Sequence, residues 1–296
     1  MSSEHIPTTD LLAADTSMGA VTLRVADLDA MTAYYRDSVT LSVLAHDVGR
    51  TIMGRGATPI VILEHAPELR HAGARQAGLF HTAILFETEA DLAAAVYTVA
   101  TRNPDTFTGS ADHLVSKAFY FTDPEGNGIE LYWDRARTEW SWVHGQVEMA
   151  SLRLDPNAFL QSALTEKAMM DAASRPASVG HVHLSVGDIA TARDFYVRAL
   201  GFESTAELGP SALFVSAGKY HHHMAMNTWN SAGAPRRQLA LGLGLVRIEL
   251  PTPDDIGALG ERLRFAGVAA RDDGRVLGFD DPWANQIEVT VKGGRM

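Results

Sequence analysis

Gly19-Ala-Val-Thr-Leu-Arg-Val-Ala-Asp-Leu28 and Gly180-His-Val-His-Leu-Ser-Val-Gly-Asp-Ile189 follow one plan. Each is a short alternating run, then an aspartate, then a helical pattern carrying an aromatic pair, Tyr34-Tyr35 in one and Phe195-Tyr196 in the other. Alternation marks a half-buried strand, and the change to a period near 3.6 marks the helix that follows. An internal repeat governs the reading of everything else in a chain. Here the second copy has His181 where the first has Ala20.

Working outward, the same change of period divides the chain into four units, at about 18–64, 78–133, 180–229 and 239–292. Strands are expected at 21–25, 59–64, 81–86, 118–122 and 128–133, with helices at 28–39 and 90–100. Each unit reads as βαβββ. One such unit leaves an open edge and a bare apolar face, so it needs a second beside it. The expected fold is therefore α+β: four βαβββ modules forming two paired curved-sheet cavities. The units divide into an N-terminal domain at 17–145 and a C-terminal domain at 178–293. Between them, 146–177 forms a connector in which Asp155-Pro156 starts one amphipathic helix over 157–175, ended by Pro176. Residues 1 to about 16 read as a loosely held tail.

At 296 residues, with 46% apolar and 21% charged residues, the chain has the composition of a soluble two-domain protein. It carries no span of apolar residues fit for a membrane and no signal pattern, which leads to a cytoplasmic expectation. The absence of cysteine excludes disulfides, thiolate metal sites and cysteine nucleophiles. A formal charge of −11 argues against nucleic-acid binding. Gly242-Leu-Gly-Leu245 is too short to count as a dinucleotide motif.

Aligning the first strands puts Ala20, His81, His181 and Leu245 at one position. Aligning the last strands by their turns matches Asp123-Pro-Glu-Gly-Asn-Gly-Ile-Glu130 with Asp281-Pro-Trp-Ala-Asn-Gln-Ile-Glu288. The third unit offers Gly218-Lys-Tyr-His-His-His223, with His222 at the glutamate position in a patterned strand, and the first offers Ile60. The polar set His81, Glu130, His181 and His222 thus belongs to units two and three. A lone strand histidine is ordinarily a half-buried structural residue, and a lone Glu130 a sheet-edge charge. Their joint occurrence at equivalent positions points instead to a metal. Two imidazoles and a carboxylate with open positions opposite suit Fe(II) oxygenase chemistry, with Mn(II) fitting the same donors.

These motifs, with Leu200-Gly201-Phe202, Asn227-Thr-Trp229 and Tyr120-Phe-Thr-Asp-Pro-Glu-Gly-Asn-Gly-Ile-Glu-Leu-Tyr132, resemble the vicinal oxygen chelate superfamily, and within it the extradiol ring-cleaving branch. The resemblance covers about residues 17–292. It implies that His81, His181 and Glu130 are metal ligands and that His222, preceded by His221, is an acid/base. It further implies that Tyr120 bonds the substrate and that His113 is a pocket residue. The expected activity is Fe(II)-dependent extradiol cleavage of a catechol-like diol by O2, with Phe80 and Trp229 as dry pocket walls and a homo-oligomer as assembly. Hydroquinone cleavage, a glyoxalase-type lyase and metal-free binding of a small molecule stand as alternatives. The best-known members place their ligands on units three and four. Here the ligands can converge only if unit two pairs with unit three and unit one with unit four.

Overall fold

The structure, a computed structural model, describes residues 11–73 and 75–294. Among these, the longer strands form two curled nine-stranded sheets, one from units two and three and the other from units one and four. In one, the first strands of units two and three, Gly78–Phe86 and Ala177–Ser185, pair antiparallel at the centre. Outward from Gly78–Phe86 run Gly128–Asp134, Ser116–Thr122, Phe107–Asp112 and Leu152–Arg153. Outward from Ala177–Ser185 run Met224–Asn227, Ala212–Ser216 and Glu203–Glu207. The other sheet repeats this arrangement with Val21–Val25 of unit one against Gly242–Leu250 of unit four. The pairing of two with three and one with four, which the placement of the histidines required, is the one found. Each sheet therefore draws strands from both halves of the chain.

Units one and two, and units three and four, are joined by a different device. Asp123 is buried in the turn before Gly128–Asp134, where Oδ1 accepts from the backbone of Glu125 and Asn127 and Oδ2 from the Asn127 amide. Tyr35, from the unit-one helix Leu28–Asp37, donates its hydroxyl to the same Oδ2 at 3.1 Å. Units three and four repeat the device with Asp281, Asn285 and the Tyr196 hydroxyl at 3.0 Å. A buried carboxylate needs such a complement of donors. Both aromatic pairs thus reach into the next module: Tyr34 also donates to Thr122 O at 3.1 Å, and Phe195 packs 6.1 Å from Phe279.

Most expected elements are present with small changes of boundary: Val21–Val25, Thr58–His65, Gly78–Phe86, Glu89–Arg102, Ser116–Thr122 and Gly128–Asp134. The connector differs. Its helix is two short ones, Pro156–Ala163 and Glu166–Met170, because Leu164 turns extended and Thr165 starts a new helix by accepting from Ala168 N. The tail expectation also needs correction over residues 11–16. Leu12 is buried in the core, with its amide bonded to Gly201 O, and Thr16 is buried as well. Residues 1–10 lie outside the described residues. Among the described residues no helix is long and apolar enough to cross a membrane.

Candidate metal centre

His81, Glu130 and His181 come together on the concave side of the sheet built from units two and three. Their ligand atoms all lie within 4.8 Å of one another. Nε2 of His81 is 2.9 Å, and Nε2 of His181 3.0 Å, from the same carboxylate oxygen, Oε2 of Glu130. The sheet creates this convergence. Residue 83 opposes both His181 across the antiparallel pair and Glu130 across the parallel one. As alanine, it leaves the space between them open. A bulge in the antiparallel pairing falls at Val179–His181. There Gly180 is obligatory, since a Cβ would sit 1.7 Å from the Tyr132 hydroxyl oxygen.

All three side chains are buried. Burial pushes the Glu130 carboxyl up, but the His181 and His81 rings beside it outweigh burial and hold it well below the usual carboxylate range. Burial pulls His181 down to about 4 against the attraction of Glu130. An ionised carboxylate beside a neutral imidazole is the donor state a divalent cation requires. Nε2 of His81, although 2.9 Å from Glu130 Oε2, lacks hydrogen-bond geometry toward it or toward any other described residue. A buried polar atom left so is rare, and a cation held among the three side chains would satisfy it. The residues present therefore fit a divalent cation with N and O donors.

The cluster opens onto a cavity of about 1400 Å³. Tyr120 and His113 line it, with the Tyr120 hydroxyl 2.6 Å from His113 Nε2 and His113 Nδ1 2.8 Å from Ala150 O. Burial, reinforced by Glu130, pushes the Tyr120 phenol well above its usual range, so it remains a donor. Phe80 and Trp229 also line the cavity and meet edge to face, their centroids 5.2 Å apart. His183 joins them, 4.9 Å from Phe80 and 5.4 Å from Trp229, with Nε2 bonded to the Asn227 amide.

His222 lies at the cavity wall, its ring centroid 4.1 Å from that of His181. Burial pulls it well below the ordinary histidine range. Two sequence expectations about it are corrected. His221, His222 and His223 precede the strand Met224–Asn227 rather than lying in one, and all three are buried. In register, moreover, the counterparts of Glu130 are Ala225 opposite His183 and Ile62 opposite Thr22, not His222 and Ile60. His222 reaches the site from the loop above the strand. Sequence reasoning missed His183 and Asp134. The alternation that turns His181 inward does the same for His183 and could have found it. Asp134, bonded to His221 Nε2 at 2.9 Å, carried no such signal.

A catechol-2,3-dioxygenase of Bacillus subtilis (strain 168) is 32% identical to this chain over 273 residues, covering 90% of this chain and 94% of that protein. A solved putative dioxygenase from Bacillus subtilis subsp. subtilis str. 168 superposes with a TM-score of 0.64 at 15% identity, covering 96% of this chain and 87% of that one. Glyoxalase I from Zea mays does so with a TM-score of 0.53 at 15% identity, covering 94% and 92%. The structural likenesses are of fold, while the sequence relative supports a dioxygenase-type activity. The family model matches residues 17–131 and 178–289, and the chain belongs to the Glyoxalase/Bleomycin resistance protein/Dioxygenase superfamily.

Proposed function

We propose that the protein is an Fe(II)-dependent extradiol dioxygenase that opens the ring of a catechol-like diol beside its hydroxyls, using both atoms of O2. The observation that carries this reading is the buried His81–Glu130–His181 cluster facing a large cavity, in a chain 32% identical to a catechol-2,3-dioxygenase. His81, Glu130 and His181 would hold the metal, and Mn(II) suits the same donors. Fe(II) bound there would supply the electron exchange with dioxygen that a closed-shell diol lacks.

The remaining roles fall to the chain itself. Phe80 and Trp229 offer the aromatic ring apolar surface at the cavity wall. The Tyr120 hydroxyl gives its hydrogen to His113 Nε2, because His113 Nδ1 donates to Ala150 O, so its oxygen accepts from a substrate hydroxyl and fixes which edge of the ring faces the metal donors. His222 is neutral, and Nε2 has no hydrogen-bond partner among the described residues. It takes the proton of a substrate hydroxyl at that nitrogen and returns it later in the cycle.

The test is to purify the protein without oxygen, load Fe(II), then add catechol and air while recording O2 uptake and the coloured ring-opened product. Turnover is expected, and His222→Ala should keep its iron while turning over about 10²–10⁴-fold more slowly. Iron-loaded protein inert toward a panel of catechols and hydroquinones would contradict the proposal.

A further inference from the structure

His222 does not stand alone. Its Nδ1 is 2.7 Å from Nδ1 of His221, whose Nε2 is 2.9 Å from Oδ1 of Asp134. The other Asp134 oxygen, Oδ2, accepts from the Tyr220 hydroxyl at 2.7 Å, and that hydroxyl is in turn 2.7 Å from the hydroxyl of Tyr132. His221 is wholly buried and packed against Trp140, with ring centroids 5.3 Å apart.

The chain has a direction. An ionised carboxylate only accepts hydrogen bonds, so His221 Nε2 must carry a hydrogen. In the neutral ring Nδ1 of His221 is then bare and accepts. The short Nδ1–Nδ1 contact needs one hydrogen, which His222 must supply from its own Nδ1. Nε2 of His222, at the opposite edge of the ring, is then left with a free lone pair.

We infer that Asp134 and His221 are positioning residues that fix His222 in the tautomer whose bare Nε2 serves as a proton acceptor. The inference rests on the proposed function for its chemical meaning. In the step it serves, the O–H bond of a substrate hydroxyl breaks, an N–H bond forms at Nε2 of His222, and the electron pair stays on oxygen. The positive charge gained by His222 is faced, through His221, by the carboxylate of Asp134. Replacing that acceptor by an amide allows the whole chain to reverse. His221 could then carry its hydrogen on Nδ1, and His222 would present an N–H to the substrate instead of a lone pair.

The test uses metal-free, full-length protein labelled with nitrogen-15 histidine. Two-bond proton–nitrogen correlation spectra distinguish the tautomers, and His221→Gln and His222→Gln assign the signals. The wild type should show His221 as the Nε2–H form and His222 as the Nδ1–H form. Asp134→Asn should move His222 toward the Nε2–H form and lower kcat of the iron-loaded enzyme by about 10–100-fold, the scale of an outer-shell loss, with KM and iron content little changed. Asp134→Glu, which keeps the carboxylate, should restore the wild-type tautomer and most of kcat. A wild-type spectrum with His222 in the Nε2–H form would overturn the inference even if neither Asp134 variant folded. So would a tautomer unchanged in Asp134→Asn, or a kcat unchanged when the tautomer moves. A failure of the functional proposal is read separately, because wild-type protein inert toward diols can still show the expected tautomers.

Discussion

The two sheets are built on one plan and differ at a few equivalent positions, yet only one of them gathers metal donors. In the sheet of units two and three, the small Ala83 opposes Glu130, and the carboxylate faces His81 and His181. In the sheet of units one and four, the residue opposing Glu288 is Arg247, whose Nη2 is 2.7 Å from Glu288 Oε2. The histidine positions there are Ala20 and Leu245. Glu288 has kept the carboxylate of the repeat but acquired a fixed cation as its partner. A guanidinium at that distance neutralises the charge that a divalent ion would use. It also repels such an ion, by about 4 kcal/mol per unit of charge at 4 Å in a moderately polar interior. Retaining an acidic residue is thus insufficient for a site. Its cross-strand neighbour must also leave room and charge for the ion.

That comparison can be broken by exchanging the neighbour. Ala83→Arg should place a guanidinium against Glu130 and abolish both iron binding and turnover, read by metal analysis and O2 uptake. Survival of full iron content would mean that the cross-strand neighbour is not what separates the sheets.

A smaller effect should sharpen the symmetry of the two halves. Tyr35→Phe and Tyr196→Phe each remove one donor from a buried aspartate, Asp123 or Asp281. Each should cost about 1–3 kcal/mol in a denaturation experiment and leave iron content unchanged. Unequal costs would show that the two inter-module joints are less alike than their hydrogen bonds.

Much of this was legible in the sequence because the repeat is carried by residues with separate jobs. Alternating apolar positions gave the strands, Asp-Pro-x-x-Asn gave the turns, and the uneven spread of histidines gave the pairing of modules. The turn motif was readable because its aspartate and asparagine satisfy one another locally. What could not be read depended on contacts made in three dimensions. Counting within a motif could not reveal that His221–His223 stand in a loop, since a run of identical residues carries no periodicity. Nor could it set the register that puts Ala225 opposite His183. Asp134 lies just past the patterned part of its strand, and only folding brings it to His221. The break at Leu164–Thr165 was hidden because both flanking segments fit one helical stripe.

The sheet of units two and three carries the donor set for a metal, and its twin does not. The most direct test is iron analysis of the Fe(II)-loaded wild type beside the matched variants Glu130→Ala and Glu288→Ala. One iron per chain is expected in the wild type and in Glu288→Ala, and none in Glu130→Ala. Iron retained in Glu130→Ala, or lost equally from both variants, would contradict this assignment.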